Sequence, residues 1–280
     1  MLFYVTAYYF MWKFTLSALY SSFKNNMYLL SQLARRDIAS RYQGSAAGLL
    51  WAFFSPVLLL LVYTFVFGYV FKARWMGAET DRSFFALNLF AGMIVHGFLA
   101  ECVVRAPHLM QQHSNFVKRI VFPLWLLPLV PLASALFHTA ISFLVLFIAH
   151  SVIVQTVHWQ LLALPILIIP FVLFLTGLVW MLSALGVYLK DLAQIIPILV
   201  PVLMFMSPVF YPAEALPESI RPIMYMNPLT PAIEMLRAVL FDGLLPSIAG
   251  YSIFLVASLL FAGVGLVVFN RLKVGFADVL

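Results

Sequence analysis

Charged residues are scarce in this chain. Asp, Glu, Lys and Arg make up 9% of its 280 residues, whereas 64% are hydrophobic and the mean hydropathy is +1.04. A soluble domain carries about 25% charged residues, so this chain lacks the polar surface that a water-facing fold requires. The composition predicts an all-α integral membrane protein.

Sequence motifs typical of catalytic, nucleotide-binding and metal sites are also missing. The single cysteine, Cys102, excludes an intramolecular disulfide. The sequence has no G-x-x-x-x-G-K-[ST] phosphate loop and no H-E-x-x-H metal helix, and its six histidines have no close metal-ligand spacing. An acid–base or nucleophilic site needs convergent polar groups, which the apolar segments hardly offer. We therefore predict no catalytic residue, no metal site and no cofactor within this chain.

Six apolar segments are each long enough to approach the roughly 20 residues of a membrane-spanning helix. The predicted spans are Ala46–Phe71, Phe84–Val104, Leu124–Val154, Leu161–Leu189, Ile195–Tyr211 and Ile248–Phe269. They divide the chain into an amino-terminal cytoplasmic or interfacial segment, 1–45, and a transmembrane domain, 46–280.

The positive charges predict the orientation of the spans. Basic residues concentrate in the cytoplasmic loops of membrane proteins, so the net charge of +6 does not indicate nucleic-acid binding. With both termini in the cytoplasm, eleven of the sixteen Lys and Arg residues lie inside. The inner set is Lys13, Lys24, Arg35, Arg36, Arg41, Arg105, Lys118, Arg119, Lys190, Arg271 and Lys273. Lys72 and Arg74, directly after the first span, oppose this assignment locally.

The amino-terminal segment has two parts. Residues 1–23 are aromatic and apolar but contain Lys13, and they are read as an interfacial or cytoplasmic segment, with an extra span as the alternative. In residues 26–42 apolar side chains share a broad face, while Arg35, Arg36 and Arg41 lie elsewhere. That pattern predicts an amphipathic helix in the inner membrane surface.

Proline marks the outer part of the chain. Eight of the sixteen prolines lie between Pro197 and Pro231. Each removes a backbone donor, and non-helical backbone at membrane depth survives only where protein buries it or where it lines a watery cavity. We expect short re-entrant helices between the fifth and sixth spans, with an ordinary external loop as the alternative.

Two short motifs suggest packing contacts. "GSAAG", Gly44 to Gly48, spaces small residues so that helices can approach closely, either between subunits or within one chain. In "ECVVR", Glu101 and Arg105 stand four residues apart, which predicts an ion pair on one helix face.

Aromatic side chains mark a candidate translocation path. Tyr63 and Phe67 share a face of the first span because they are four residues apart, and Phe205 and Tyr211 lie on the fifth. Aromatic faces can pass sugar rings by apolar contact without holding them tightly. A core stripe or an interfacial belt would produce the same pattern.

The segment "NFVKRIVFP", Asn115 to Pro123, interrupts the hydrocarbon with charge on the positive side. Two interpretations stay open from composition. The segment is either a topological anchor or a docking helix that inserts apolar residues into a cytosolic partner while Lys118 and Arg119 steer the approach.

Five segments in register resemble a known family. They are "SAAGLLWAFFSPVL" (45–58), "NFVKRIVFPLWLLPL" (115–129), "YLKDLAQI" (188–195), "SPVFYP" (207–212) and "NPLTPAIEMLR" (227–237). Together they look like the ABC-2-type permease subunits that export O-antigen, capsular polysaccharide and teichoic acid, and the resemblance is strongest to the O-antigen permeases.

The resemblance implies a homodimer joined to two copies of a separate ATPase subunit, which would hold ATP and Mg²⁺. It implies an interfacial helix, six spans and re-entrant outer helices, in agreement with the reading from the residues. It also implies contacts with the ATPase through a coupling helix and a second cytoplasmic turn. These residues are Asn115, Phe116, Val117, Lys118, Arg119, Ile120, Lys190 and Asp191.

The expected function is therefore that of a permease subunit in the bacterial cytoplasmic membrane. It would export a lipid-linked polysaccharide, most simply O-antigen, in contact with membrane lipids. Two alternatives remain, which are a drug or lipid exporter of the same fold and an intramembrane sugar transferase.

Overall fold

The computed structural model describes residues 24–71, 82–117 and 122–280, and every regular element within these ranges is a helix. The side chains of residues 82, 83 and 117 are not described. The interpretation of residues 1–23 therefore lies outside the described ranges, as do Lys118, Arg119 and Ile120 of the proposed coupling segment.

The first half of the described chain contains six α-helices. Helix α1 covers 24–42, and α2, Trp51–Tyr63, continues as a π-helical stretch, Thr64–Val70. The others are α3 (Arg82–Arg105), α4 (Leu109–Gln112), α5 (Ser114–Val117) and α6 (Leu129–Ile153).

The second half adds seven α-helices. They are α7 (Leu164–Leu167), α8 (Ile169–Tyr188), α9 (Leu192–Phe205), α10 (Arg221–Tyr225), α11 (Leu229–Arg237), α12 (Ile248–Leu272) and α13 (Phe276–Val279). Short 3₁₀ turns join several of them, and a π-helical stretch, Ala238–Asp242, follows α11.

Five helical stretches are long and apolar enough to cross a membrane. They are Gly48–Val70, Phe84–Gln112, Leu124–Ile153, Trp159–Tyr188 and Ile248–Val279, and they correspond to the predicted first, second, third, fourth and sixth spans. The predicted fifth span holds α9, whose 14 residues extend about 21 Å, less than the roughly 30 Å hydrocarbon core. Ser207 and Pro208 follow closely, and the helical conformation is disfavoured for a residue that precedes proline. A complete fifth span, and with it the total of six, stays a prediction.

Helix α3 lies at the centre of the bundle. Its side chains are largely buried against α2, α6, α8, α9 and α11, and Leu87, Leu89 and Cys102 are fully enclosed. A second apolar cluster lies between the carboxyl-terminal parts of α8 and α12 and the short helix α13. Trp180, Phe269 and Phe276 pack together there. The outer faces of α2, α9 and α12 carry exposed apolar residues, as helices that face lipid do.

Glycine brings α8 and α12 into backbone contact. A Cβ on Gly177 would lie 2.8 Å from Ala262 Cα, and a Cβ on Gly265 would lie 2.2 Å from Gly177 O. Small residues allow this approach, and it lets the two helices pack along much of their length.

The "GSAAG" motif has a different role within this chain. Gly44 and Gly48 have φ values of +82° and +52°, and a Cβ on either would meet no atom of the described residues within 4 Å. The two glycines shape the turn from α1 to α2, because positive φ costs glycine little. Packing between helices of one chain, one of the two predicted roles, is therefore wrong for this motif.

We predict that Gly265→Val separates α8 from α12. The added methyl groups must displace backbone, which costs at least about 1–3 kcal/mol, so the melting temperature in mild detergent should fall by several degrees. Gly263→Val is the matched control, because it lies two residues away on α12 and a Cβ there meets nothing within 4 Å. Equal losses in both variants would contradict the close contact.

Candidate functional site

A pair of hydrogen bonds attaches α1 to the end of α3. Arg105 donates from Nη1 to Asp37 Oδ2 at 3.0 Å and from Nη2 to Asp37 Oδ1 at 2.5 Å. Burial raises the pKa of Asp37, but the hydrogen bonds from Arg105 and the nearby positive charges outweigh it, so the pKa lies below the ordinary 3.8. Asp37 is therefore ionised at neutral pH, and its contribution is lost only when the pH falls through that lowered value.

A second ionic group lies one turn further along α1. Arg41 donates to Glu101 of α3, and His138 of α6 places Nδ1 3.0 Å from Glu101 Oε1 and 2.9 Å from Arg41 Nη1. The ring of Tyr42 meets the His138 ring edge-on, at 5.9 Å between centroids. Three helices thus share one polar cluster, which we call the inner ionic network together with Asp37 and Arg105.

The network corrects one prediction and refines another. Glu101 and Arg105 bind Arg41 and Asp37 of α1, and the predicted ion pair between them is wrong. Arg35 and Arg36 are exposed on α1, whereas Arg41 pairs with Glu101. Of the three arginines predicted to lie away from the apolar face of α1, Arg41 therefore docks the helix and the other two are exposed.

The candidate coupling residues lie at the same end of the bundle. Asn115 is exposed on α5, whereas the ring of Phe116 packs on Phe122 with centroids 4.7 Å apart. Val117 ends α5, and the rest of this segment lies outside the described residues. Lys190 and Asp191 are exposed in the turn between α8 and α9.

Contacts within the chain hold that end together. Tyr188 Oη, at the end of α8, donates to Leu272 O of α12 at 2.8 Å, and a Cβ on Gly186 would lie 2.3 Å from Pro107 O. The α8–α9 turn, the end of α12 and the segment after α3 are therefore neighbours. This juxtaposition places these segments, all predicted to be inside, at one end of the bundle.

The structure brings the predicted aromatic residues of two helices together. Tyr63 and Phe67 have ring centroids 6.4 Å apart, Phe67 lies 6.5 Å from Phe210, and Phe210 stacks on Phe205 at 5.2 Å. Tyr211 Oη donates to Phe205 O at 3.0 Å. Phe210 was missing from the predicted path residues, yet its ring connects the two helices. We call these five side chains the aromatic row.

A cleft connects the inner ionic network with the aromatic row. Its volume is about 350 Å³, and it lies between α2, α3 and α6, with Arg41 and Glu101 among its lining residues and Tyr63 further along α2. Ser55 and Ser142 add hydroxyl groups to its wall. The cleft therefore offers charge, hydroxyls and the aromatic side chains of Tyr42, Tyr63, Phe90 and Phe98 to a polar molecule.

Arg237 is a buried structural residue, and it lies outside the predicted inner set of basic residues. It is 5% exposed, and its guanidinium donates to three backbone carbonyls, which are Asn88 O at 2.9 Å, Pro208 O at 2.5 Å and Val209 O at 2.9 Å. Gly92 makes room for it, since a Cβ there would lie 3.0 Å from Arg237 Nη2. We call this arrangement the arginine clamp; no local sequence signal indicates its partners.

Five apolar helices, a polar cluster at one end and an aromatic row together define a multi-pass helical membrane protein with a candidate passage for polar cargo. The family model of the ABC-2 type transporter matches residues 28–241. The chain therefore belongs to the ABC-2 type transporter family.

Curated relatives match along most of their length. An O-antigen export system permease protein RfbA of Klebsiella pneumoniae is 26% identical over 254 residues, 90% of this chain and 95% of the relative. An RfbA of Myxococcus xanthus is 25% identical, covering 78% of this chain and 82% of the relative. The polysialic acid transport protein KpsM of Escherichia coli is 24% identical, covering 80% and 85%.

We predict that Asp37→Asn loosens α1. Loss of this partly exposed ion pair should cost about 1 kcal/mol, which corresponds to about fivefold faster amide hydrogen exchange in residues 24–42. Hydrogen–deuterium exchange mass spectrometry of the purified chain measures the effect. Arg36→Gln is the control, since Arg36 is an exposed charge on the same helix. Unchanged exchange in Asp37→Asn would show that α1 is held by apolar contacts alone.

We predict that Arg237→Met destabilises the fold much more than Arg221→Met. The first change leaves buried carbonyls without donors and should cost about 3–5 kcal/mol. Arg221 also binds carbonyls, those of Leu216 and Glu214, but from a half-exposed position, so about 1 kcal/mol is expected. Thermal unfolding in mild detergent compares the two, and equal melting temperatures would contradict a dominant arginine clamp.

Proposed function

We propose that the chain is the membrane-spanning subunit of an ATP-driven exporter that moves a lipid-linked polysaccharide, of the O-antigen type, across the bacterial cytoplasmic membrane. The observation that carries this proposal is the nearly full-length match to relatives named for the export of O-antigen and the transport of polysialic acid. All of these named cargoes are polysaccharides, which favours a glycan over a small drug.

The aromatic row supports a glycan path. Sugar rings have apolar faces that pack on aromatic side chains, and such contacts are individually weak enough to let a polymer slide. Phe205 is 63% exposed, so one end of the row is open in a single copy of the chain. We propose that the exposed faces of α2 and α9 meet a second copy in a homodimer, and that the two rows together line the passage.

The inner end of the bundle would receive the driving force. Asn115 to Ile120 would form a coupling helix seated in the ATPase subunit, and Lys190 with Asp191 would form a second contact. Two copies of that subunit would bind ATP and Mg²⁺. ATP binding can open the passage only if it favours one arrangement of the dimer over another.

Both termini would face the cytoplasm. The excess of basic residues in the segments assigned to the inside supports this orientation, as does the clustering of those segments at one end of the bundle. Residues 207–246 would then lie on the outer side as re-entrant structure. The arginine clamp supports this placement, because it gives the carbonyls of a proline-interrupted segment donors that lipid lacks.

The decisive experiment deletes the gene and measures surface polysaccharide and intracellular lipid-linked glycan. Deletion should abolish the first and accumulate the second, and the wild-type chain should restore both. Normal surface polysaccharide after deletion, or restored resistance to a drug without restored polysaccharide, would reject the proposal.

Path variants extend that experiment. Phe67→Ala with Phe210→Ala should lower export about tenfold, because two aromatic contacts are worth about 0.5–1.5 kcal/mol each. The matched control is Phe84→Ala with Phe241→Ala, which removes an edge-on pair between α3 and the π-helical stretch after α11, 5.1 Å apart. Equal export in both double variants, at equal membrane abundance, would mean that the aromatic row only packs.

A further inference from the structure

A separate apolar cavity lies outside the aromatic row. It measures about 640 Å³ and is enclosed by α8, by α10 and α11, and by α12. On α12 its wall consists of residues that recur every three or four positions from Gly250 to Phe261. One helix face over eleven residues extends about 16 Å, so the cavity is a groove along a membrane-spanning helix.

Ser258 points to a missing partner in this groove. It is 2% exposed, lines the cavity, and its hydroxyl has no hydrogen-bond partner among the described residues. Two other helical hydroxyls satisfy themselves locally: Thr176 donates to Val172 O at 2.8 Å, and Ser142 donates to His138 O at 3.0 Å. A buried hydroxyl without a partner is costly, which favours a ligand that accepts or donates a hydrogen bond.

The charge of the groove selects among ligands. Glu234 is the one charged side chain among the described residues that line it. Arg237 lies 3.5 Å from Glu234 Oε1, but it directs its other donors to the carbonyls of the arginine clamp. A groove with a carboxylate and without a cation on its wall attracts an ammonium group and disfavours an uncompensated anion.

The other residues that line the groove are mostly apolar, and this determines which part of a ligand can fill it. Phe174, Phe254 and Phe261 make it mostly apolar, and apolar cavities stay dry rather than fill with water. A groove on a membrane-spanning helix adjoins lipid, so an acyl chain can fill it at no cost in lost hydration.

We propose that this groove binds a phospholipid with a primary ammonium headgroup, phosphatidylethanolamine being the common bacterial form. The ammonium group binds Glu234, Ser258 donates to an ester carbonyl, and an acyl chain lies along α12 towards Phe261. The bound lipid links α11 to α12 on the side of the bundle away from the aromatic row. This proposal does not depend on the identity of the exported cargo.

The test uses the full chain, purified in mild detergent, stripped of lipid and then incubated with single lipids. Phosphatidylethanolamine, phosphatidylcholine and phosphatidylglycerol with identical acyl chains are the probes, and native mass spectrometry counts the lipid retained. We expect phosphatidylethanolamine to be retained about tenfold more than either other lipid. Equal retention of the three lipids, or preference for phosphatidylglycerol, overturns the proposal.

Variants locate the bound lipid. Ala257 is exposed and lines the groove, so Ala257→Phe should fill it and reduce retention at least about fivefold. Val256→Phe adds the same ring one residue away, from an exposed position outside the groove, and should retain lipid like the wild type. Equal retention by the two variants overturns the proposal.

Ser258→Ala gives an independent measurement if Ala257→Phe does not fold. It removes a hydroxyl that has no partner within the described chain, so the melting temperature of the lipid-free chain should not fall. Retention of phosphatidylethanolamine should drop about threefold, which corresponds to one lost hydrogen bond. Undiminished retention overturns the proposal. None of these measurements involves ATP or glycan, so their outcome is independent of the export experiment.

Discussion

The end of the bundle that holds Pro208 and Arg237 depends on the absence of water in a bilayer. Proline interrupts the chain after α9, and the carbonyls of Pro208 and Val209 need donors that lipid does not supply. The guanidinium of Arg237 provides them and also binds Asn88 O on the central helix. One side chain therefore lets irregular backbone pack beside α3, and Phe210 of the aromatic row follows directly after this backbone.

Charged residues, those of the inner ionic network, organise the opposite end of the bundle. Asp37 and Arg41 dock α1 on the end of α3, and His138 of α6 joins the same cluster. These groups lie near the end of the bundle where the candidate coupling residues are exposed. A displacement applied to that end would therefore reach α1, α3 and α6 together.

Long apolar runs made the membrane assignment and five of the spans predictable, because each run exceeds what a soluble helix buries. The interaction partners of individual side chains were harder to predict from the sequence. The spacing of Glu101 and Arg105 indicates a pair, yet each residue binds α1, since an oppositely charged neighbour from another helix has better geometry. Gly44 and Gly48 match a helix-contact motif but serve a turn, because the motif does not reveal φ.

The sequence by itself determined the class of protein, five of its long apolar helices and the segments that carry positive charge. Apolar runs and clusters of basic residues are formed by neighbours in the sequence, so the sequence alone reveals them. The tertiary structure alone decided that Arg237 serves three carbonyls, that Phe210 connects two aromatic helices and that Ser258 faces a groove beside Glu234. Each of these contacts joins residues far apart in sequence, and their partners depend on how the helices pack.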